Sequence, residues 1–335
     1  MKVRLLCLAC FLLTFGLPRM GAQNGPSLIG SGLYRSSQNV IVIAPGQMIT
    51  LRLTHLQTLL DTSSGSFRLA NTSELPLPTT FHGISVNLWQ DLNSSSATYA
   101  LPISGLLQVE SCTPNAIPAQ PPQNGNVPDC YFSYLTVQIP YNIAVRHGAG
   151  RPVPSFITVI ENGTVSEYFP VTPIDNAIYL LMTCDSPAIA PPGGLCAPLV
   201  NHEDGTPVTD QSPAVAGEIL TLHGWGLGVP LVLDPQLAAG SPPPSLSPTL
   251  DASRFRILFR FGKNKLDPPD VSQMKGHHPE SVSMTADAVG EYDIRVRLPK
   301  SFPSSVEACT SVVDPNLVID VIAGSYGSIG ICAVP

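Results

Sequence analysis

The sequence is poor in charged residues, and it contains only two tryptophans. Asp, Glu, Lys and Arg make up 12% of its 335 residues, and the formal net charge at pH 7 is −7. A nucleic-acid-binding surface needs clustered Lys and Arg side chains to match the phosphates, so this balance argues against such a partner. The hydrophobic share of 44% is enough to build a core, which excludes a globally disordered chain.

The common catalytic and nucleotide-binding signatures are also missing. The sequence has no G-x-S-x-G, no H-E-x-x-H, no Walker loop and no G-x-G-x-x-G between a strand and a helix. The Gly-rich stretch 224–228 follows a strand pattern but precedes no helix pattern, and phosphate binding depends on that helix N-terminus. We therefore predict a non-catalytic protein without a cofactor. A secreted hydrolase or lyase with an unrecognised carboxylate site is kept as a third hypothesis.

The first 22 residues have the layout of a secretory signal. Lys2 and Arg4 precede an almost wholly apolar run, Leu5–Leu17, and small residues end the segment at Gly21 and Ala22. The run is too short to cross a hydrocarbon core of about 30 Å, which needs roughly 20 residues. No later stretch reaches that length. We predict a secreted protein, extracellular or at the cell surface with a periplasmic location as the alternative, and no membrane span.

Six cysteines remain after the predicted signal. An even number in an exported chain is typical of disulfides, and six cysteines allow fifteen connectivities. Pairing sequence neighbours is the simplest: Cys112–Cys130, Cys184–Cys196 and Cys309–Cys332. A structural zinc site is the alternative, but the spacings lack the close C-x₂-C pairs that such a site uses.

Apolar and polar residues alternate along most of the mature chain. This period of two is typical of antiparallel strands with one face exposed to water. The clearest strands are predicted at 49–53, 84–88, 135–139, 255–261 and 294–298. Others are predicted at 39–43, 156–160, 165–169, 178–182, 218–223, 317–322 and 328–333. Helix is predicted at most as one turn or a short helix in His55–Leu60, so the fold class is all-β.

An internal repeat divides these strands into two sets of about seven, enough for two tandem β-sandwiches. Ala44–Leu51 parallels Val215–Leu222, Leu135–Pro140 parallels Ile294–Pro299, and Ile157–Phe169 parallels Val318–Cys332. The predicted organisation is a signal at 1–22, a first sandwich at 27–183, a Pro/Gly-rich linker closed by a disulfide at 184–196, and a second sandwich at 197–335. Segments 113–128 and 238–248 are predicted to be surface loops.

The second half carries a family resemblance. Pro198–Gly205, Ala216–Glu218, Gly224–Pro230 and Gly290–Pro299 follow one another in order. This sequence resembles the C-terminal Ig-like β-sandwich domain of secreted proteins of unknown function from soil acidobacteria of the Solibacter type. It is more distantly similar to the IPT/TIG class. The resemblance covers about residues 197–335 and implies two Ig-like antiparallel sandwiches, a bacterial source and an extracellular setting, but no activity and no catalytic residues.

Two sets of residues are candidates for ligand binding. Carbohydrate sites use exposed aromatic rings, and of Trp89 and Trp225 the second, in a Gly-rich loop, is the better candidate. Arginine forks match carboxylates of an acidic polysaccharide. Five arginines would form a basic patch if their two strands were neighbours in one sheet: Arg254, Arg256, Arg260, Arg295 and Arg297.

The remaining polar clusters favour structural roles. His202–Gly205 is interpreted as a hairpin turn, with loosely held Ca²⁺ as the alternative. His277 and His278 are interpreted as part of a solvated loop, and His223 as a packed or hydrogen-bonded histidine. We predict no metal site. The leading functional hypothesis is a secreted binding or adhesion module for an extracellular polysaccharide or protein, and the alternative is a structural component of the cell exterior.

Overall fold

The protein is described by a computed structural model that covers most of the chain after the predicted signal. The described residues are 25–32, 40–60, 63–64, 67–110, 131–146, 150–185, 196–230, 237–243, 248–261, 277–304, 306, 308–309 and 314–334. Nearly all regular structure in these ranges is β, with one short 3₁₀ helix at Ala252–Arg254. The predicted all-β fold class is confirmed. The predicted signal and the pair Cys112–Cys130 lie outside the described residues.

The first half forms two sheets that enclose one hydrophobic core, here called the N-terminal sandwich. One sheet contains β1 (Ser27–Ser31), β3 (Met48–Thr54), β4 (Ser63–Ser64), β5 (Phe67–Asn71), β9 (Ile103–Glu110) and β10 (Tyr131–Gln138). The other contains β2 (Ile41–Ile43), β6 (Thr80–Phe81), β7 (Ile84–Asp91), β8 (Ser96–Ala100), β11 (Ser155–Glu161), β12 (Thr164–Val165) and β13 (Phe169–Pro173). Their orders are β1-β3-β10-β9-β5-β4 and β2-β13-β11-β7-β6, with β8 beside β7 and β12 beside β11. Leu51, Leu88, Leu106 and Ile157 lie in the core between them.

The second half repeats this plan as the C-terminal sandwich. Its larger sheet contains β14 (Tyr179–Leu180), β15 (Val200–His202), β17 (Ile219–Trp225), β19 (Ser281–Met284) and β20 (Glu291–Arg297). A three-stranded sheet contains β18 (Arg256–Phe261), β21 (Leu317–Ala323) and β22 (Ser325–Ile331), and a two-stranded ribbon contains β16 (Ala214–Val215) and β23 (Ala333–Val334). The orders are β14-β17-β20-β19, with β15 also on β17, and β18-β21-β22. Leu222, Tyr292, Ile294 and Ile319 are in its core.

The strand pairs of the two sandwiches correspond as the repeat predicts. Ile49 on β3 faces Val137 on β10, and Leu220 on β17 faces Val296 on β20. A turn glycine with positive φ precedes β3 and β17 alike, because the chain there takes a backbone conformation that other residues resist. The parallel pair β2·β13 has its counterpart in β16·β23.

The third parallel, Ile157–Phe169 with Val318–Cys332, is wrong by one residue. In the first hairpin two residues separate the paired Glu161 and Thr164, whereas in the second only Gly324 separates Ala323 from Ser325. Core residue Ile157 therefore corresponds to Ile319 rather than to Val318. A slip of one residue exchanges the two faces of a strand, so alignment on the turn glycine places core residues on the wrong face.

The helical turn predicted for His55–Leu60 is also wrong. The segment is irregular because side chains of other strands take up its backbone N–H groups. Gln57 N and Thr58 N donate to the carboxylate of Glu161 at 2.9 and 2.6 Å, and Leu60 N donates to Gln108 Oε1 at 3.0 Å. These bonds satisfy the backbone donors without a helix, and the positive φ of His55 is incompatible with a right-handed helix at that residue.

The strand predicted at Val165–Phe169 is interrupted at Ser166. Its backbone N–H donates to Val159 O at 2.8 Å, and its Oγ accepts from Val159 N at 2.9 Å. Ser166 thus bonds to both the backbone N–H and the backbone carbonyl of Val159 on β11. The strand is broken at this point, so β12 ends at Val165 and β13 starts only at Phe169.

The end of the predicted first sandwich packs with the second. β14 pairs with β17, and Ile178 and Leu180 belong to the C-terminal core, although both lie within the predicted first sandwich, 27–183. The predicted surface loop 238–248 is likewise packed at its start, because Leu77 N donates to Gly240 O at 2.7 Å and Gly240 is buried.

No helix among the described residues is long and apolar enough to cross a membrane.

Candidate ligand-binding cleft

The two sandwiches meet through backbone contacts at glycines. A Cβ on Gly290 would lie 2.7 Å from Gly46 O of the N-terminal sandwich. Any other residue at this position would force the backbones apart, so glycine is required for this close approach.

A buried glutamine adds hydrogen bonds across the same junction. Gln138, at the end of β10, is fully buried, and its Nε2 lies within hydrogen-bond distance of Gly46 O and Tyr141 Oη. Its Oε1 accepts from Gly240 N of the C-terminal sandwich. Burial raises the pKa of Tyr141, which therefore stays a neutral hydrogen-bonding group. The junction is thus a set of satisfied polar contacts around a neutral amide.

A cleft of about 340 Å³ opens beside this junction. Its N-terminal wall comes from β1, β2 and β3 and includes Val42, Gln47 and Thr50. Its opposite wall comes from the segment around β14 and the end of β17 and includes Tyr179 and Trp225. Clefts between structural units, with apolar walls and a few polar groups, are where small ligands are commonly bound.

Two aromatic rings form the C-terminal wall of the cleft. Tyr179 and Trp225 face each other across the β14·β17 pair, with ring centroids 6.1 Å apart and planes inclined by 25°. Both side chains are partly buried, so they keep some exposed ring surface. Two aromatic rings that line a cleft give it an apolar wall, which suits contact with a ring of a ligand.

Asp185 fixes this aromatic wall. Tyr179 Oη donates to its Oδ1 at 2.7 Å, and Met182 N donates to its Oδ2 at 2.6 Å. Burial raises the pKa of Asp185, and the two hydrogen bonds offset part of that effect. The adjacent Cys184 is at disulfide-bonding distance from Cys196, which closes the chain behind the wall. Asp185 thus positions Tyr179.

A histidine and two carboxylates lie next to Trp225 on the same face of the sheet. His223 Nδ1 is 2.9 Å from Glu291 Oε1 and 3.1 Å from Asp293 Oδ1. The register explains the arrangement, because His223 faces Asp293 and Trp225 faces Glu291 in the β17·β20 pair. Thr285 Oγ1 donates to Asp293 Oδ1 at 2.6 Å. The predicted hydrogen-bonded histidine therefore belongs to a three-residue polar cluster.

The cluster shifts the pKa of its members in opposite directions. Burial alone lowers the pKa of His223, but hydrogen bonds to Asp293 and Glu291 outweigh it and raise that pKa to about 9. Burial alone raises the pKa of Asp293, but hydrogen bonds from His223 and Thr285 outweigh it and lower that pKa. At neutral pH without another cation, a protonated imidazole sits between two carboxylates.

The predicted basic patch is not formed, because its arginines lie in different sheets. β18 pairs with β21 in the three-stranded sheet, whereas β20 pairs with β17 and β19. Arg260 makes a two-pronged ion pair with the buried Asp320, with Nε–Oδ2 2.6 Å and Nη2–Oδ1 2.7 Å. Arg295 pairs with Glu203 and Arg297 with Glu280 on the larger sheet.

The other two candidate arginines are at the edge of the three-stranded sheet. Arg256 Nη1 donates to Ser253 O at 2.8 Å and lies 2.7 Å from the ring nitrogens of His278. Arg254 is exposed at the end of the 3₁₀ helix and borders a second cleft of about 450 Å³ together with Arg146. Trp225 is therefore the one candidate ligand residue that lines the junction cleft.

Two of the predicted cysteine pairs and the predicted turn fall in described residues. Cys309 is at disulfide-bonding distance from Cys332, as Cys184 is from Cys196. At 202–205 the chain forms a turn in which Gly205 has a positive φ and its N–H donates to His202 O at 3.0 Å. Asp204 accepts from the backbone and hydroxyl of Thr206, so its carboxylate closes the turn.

Sequence reasoning missed Tyr179 and Asp185 as members of the cleft, and Glu291 and Asp293 as partners of His223. All four lie in strands or turns whose sequence pattern does not distinguish them from non-functional residues. His223 and Glu291 are 68 residues apart in the chain, and only the strand pairing brings them together. One signal in the sequence could have helped. Because of the repeat, a pairing of β3 with β10 predicts the corresponding pairing of β17 with β20.

Comparison with known proteins adds a distant structural likeness. No protein-family model matches the chain, and no curated protein matches it significantly. Among solved structures, it is similar to the C-terminal domain of the AgI/II polypeptide BspA from Streptococcus agalactiae, with 11% sequence identity and a TM-score of 0.20. The match covers 91% of this chain and 98% of that chain. At this TM-score the likeness carries no argument about the function of the chain.

Proposed function

We propose that this chain is a non-catalytic, extracellular binding module that takes a carbohydrate ligand in the cleft between its two sandwiches. The observation that carries the proposal is the pair Tyr179 and Trp225, which presents near-parallel rings on the cleft wall. Sugar rings have one apolar face that stacks on aromatic side chains, and hydroxyl groups that bond to neighbouring polar groups.

The polar groups of the cleft support binding rather than catalysis. Both oxygens of Asp185 accept hydrogen bonds from Tyr179 and Met182, so this carboxylate is committed to holding the wall. Glycoside hydrolysis needs two carboxyl groups placed on either side of the scissile bond. The residues on the cleft wall include one carboxylate, Asp185, and hydroxyl groups such as Thr50 and Ser325.

The extracellular setting rests on the cysteines and on the first 22 residues. Structural disulfides persist in oxidising compartments, and two cysteine pairs are at bonding distance. The apolar run at Leu5–Leu17 supplies the secretory signal in this proposal. The ligand would then be a polysaccharide of the cell exterior or of a neighbouring surface.

The proposal is tested by probing an array of glycans and cell-wall polymers with the mature, oxidised protein and its Trp225→Ala variant. Loss of one stacking contact of about 1.4 kcal/mol corresponds to a tenfold rise in Kd, so we expect Trp225→Ala to weaken binding about tenfold or more. Circular dichroism should show unchanged β structure in the variant.

Trp89→Ala is the matched control, because Trp89 packs on Phe156 in the N-terminal sandwich and lies away from the cleft. It should leave the affinity unchanged. Equal loss in both tryptophan variants, or full affinity in Trp225→Ala, would contradict the cleft as the site. No binding to any glycan by the wild-type protein would contradict the carbohydrate ligand and favour a protein partner or a structural role.

A further inference from the structure

Three potential metal ligands of two chemical kinds converge on the outer face of the larger C-terminal sheet. His223 Nδ1, a carboxylate oxygen of Glu291 and one of Asp293 all lie within 4.8 Å of one another. They come from facing and alternate positions of β17 and β20, so the sheet pleat holds their Cβ atoms on one side. The three side chains are only partly exposed, with side-chain exposures between 14% and 31%.

The distances are a few tenths of an ångström shorter than those between the ligands of a small four-coordinate ion, so the side chains would separate slightly to hold one. Zinc bonds to histidine nitrogen and carboxylate oxygen are about 2.0–2.2 Å long, so two ligands of a tetrahedral site are roughly 3.3–3.5 Å apart. The separations from His223 Nδ1 to the two carboxylate oxygens are 2.9 and 3.1 Å. We propose that His223, Glu291 and Asp293 form a binding site for a divalent transition-metal ion of the Zn²⁺ type.

Charge supports a cation at this position. Glu291 and Asp293 share one imidazole, so the cluster carries a net negative charge whether or not the ring is protonated. The next residue on the same face of β20, Arg295, makes its ion pair with Glu203 at 2.7 Å. Two partly buried carboxylates close together repel each other unless a cation lies between them, and a divalent ion compensates them more fully than a proton.

Each side of the site also has a supporting group outside the three ligands. Asn201 Nδ2 lies 3.2 Å from His223 Nε2, and Thr285 Oγ1 donates to Asp293. With its amide turned so that Oδ1 faces the ring, Asn201 accepts the Nε2–H and leaves the lone pair of Nδ1 for a metal. Metal-bound histidines and carboxylates commonly have such partners, which fix their orientation.

The ligand set favours a transition metal over Ca²⁺. Calcium takes six to eight oxygen ligands, whereas imidazole nitrogen with two carboxylates suits Zn²⁺ and related ions. Three protein ligands leave a fourth position for water or another oxygen ligand. The site is adjacent to Trp225, which faces Glu291, but it requires no ligand in the junction cleft and is tested without one.

The test is a calorimetric titration of chelator-treated, oxidised mature protein with Zn²⁺. We expect saturable binding of one ion and its loss in Asp293→Asn, which keeps the shape of the side chain, and in His223→Ala. Thr285→Ala should weaken binding about 10- to 100-fold, the range typical of groups that orient metal ligands. In the unmodified protein, Co²⁺ should give visible absorption bands, and Zn²⁺ should shift the ¹⁵N resonance of His223 Nδ1.

His202→Ala is the matched control. His202 lies on the neighbouring β15, and its Nδ1 is 3.1 Å from the carboxylate of Glu218. It therefore contacts one carboxylate, whereas His223 contacts two. This variant should bind Zn²⁺ as the wild type does. The proposal is overturned if the wild-type protein binds no Zn²⁺ or responds only to Ca²⁺. It is also overturned if His223→Ala keeps its affinity within about twofold, or if the resonance of His223 does not move.

Discussion

The two sandwiches share a strand plan but differ in what they place at corresponding positions. In the N-terminal sandwich Trp89 on β7 faces Phe156 on β11, and in the C-terminal sandwich Arg260 on β18 faces Val318 on β21. Arg260 binds Asp320, whereas Trp89 packs on Phe156. The same backbone arrangement therefore accommodates an aromatic pair in one sandwich and an ion pair in the other. The side chains decide which kind of interaction forms on each sheet.

Buried polar groups have different kinds of partner in the two sandwiches. In the N-terminal sandwich Gln90 bonds the backbone of Ala144 in both directions at 2.8 and 2.9 Å, and the buried Glu161 accepts from the backbone of Gln57 and Thr58. In the C-terminal sandwich the buried carboxylate of Asp320 pairs with the guanidinium of Arg260. Breaking a buried ion pair costs more than breaking a neutral hydrogen bond, so Asp320 and the neutral residue at the corresponding N-terminal position, Thr158, should respond differently to substitution.

The largest expected difference comes from Asp320→Ala. Removing this carboxylate leaves the guanidinium of Arg260 largely buried without its main partner, which costs about 3–5 kcal/mol of unfolding free energy. The corresponding N-terminal substitution, Thr158→Ala, removes no charge and should cost no more than about 1.5 kcal/mol. Urea unfolding followed by fluorescence measures both. Similar losses in the two variants would mean that the ion pair contributes no more than an ordinary polar contact.

The next effect is a pH dependence that belongs to the C-terminal sandwich. The pKa of His223 is about 9 in the folded chain and about 6.5 in an unfolded one, so its stabilisation is complete below about pH 6.5 and is lost as pH rises through 9. In the presence of EDTA, this loss should be no more than about 3 kcal/mol. The lowered pKa of Asp293 reflects the same contacts and adds no second contribution.

Melting temperatures of wild-type protein and His223→Gln between pH 6 and pH 10 measure this effect. The wild type should lose stability more steeply than the variant above pH 7. Parallel curves would show that the contacts of His223 with the two carboxylates do not stabilise the fold.

A smaller effect should mark the junction itself. Gly290→Ala places a Cβ against Gly46 O of the N-terminal sandwich and also forces alanine into a positive φ, whereas Gly205→Ala has only the conformational cost, since nothing lies within 4 Å of its Cβ. Overpacking typically costs about 1–3 kcal/mol, which is the expected excess of Gly290→Ala over Gly205→Ala. Thermal unfolding measures the difference, and equal effects would indicate that the junction opens without cost.

The smallest effect is expected for the exposed arginines. Arg295 and Arg297 pair with Glu203 and Glu280 in solvent-exposed positions, and such pairs contribute about 0.2–1 kcal/mol. Arg297→Ala should therefore lower the unfolding free energy by less than 1 kcal/mol, and less still in 1 M NaCl. A loss comparable to that of Asp320→Ala would remove the contrast between exposed and buried ion pairs.

Strands with clean alternation could be located from sequence, and strands without it could not. The alternating segment 84–88 lies inside β7 as predicted, with the apolar residues buried. β9 was missed because Gly105 interrupts its pattern, and the register of β10 on β9 shifts there. The position of Trp225 near a Gly-rich turn could be read from the sequence, but its neighbour Tyr179 could not.

Local sequence determined the strands with clean alternation, which of their residues face a core, and that one plan occurs twice, because a period of two depends only on adjacent residues. Tertiary structure alone decided which strands are neighbours. Pairing of β17 with β20 brought His223 to Glu291 and Asp293, and separation of β18 from β20 divided the arginines between two sheets. The junction cleft likewise arose only where two glycine-lined backbones met, since such contacts join residues far apart in the chain and leave no periodic signal along it.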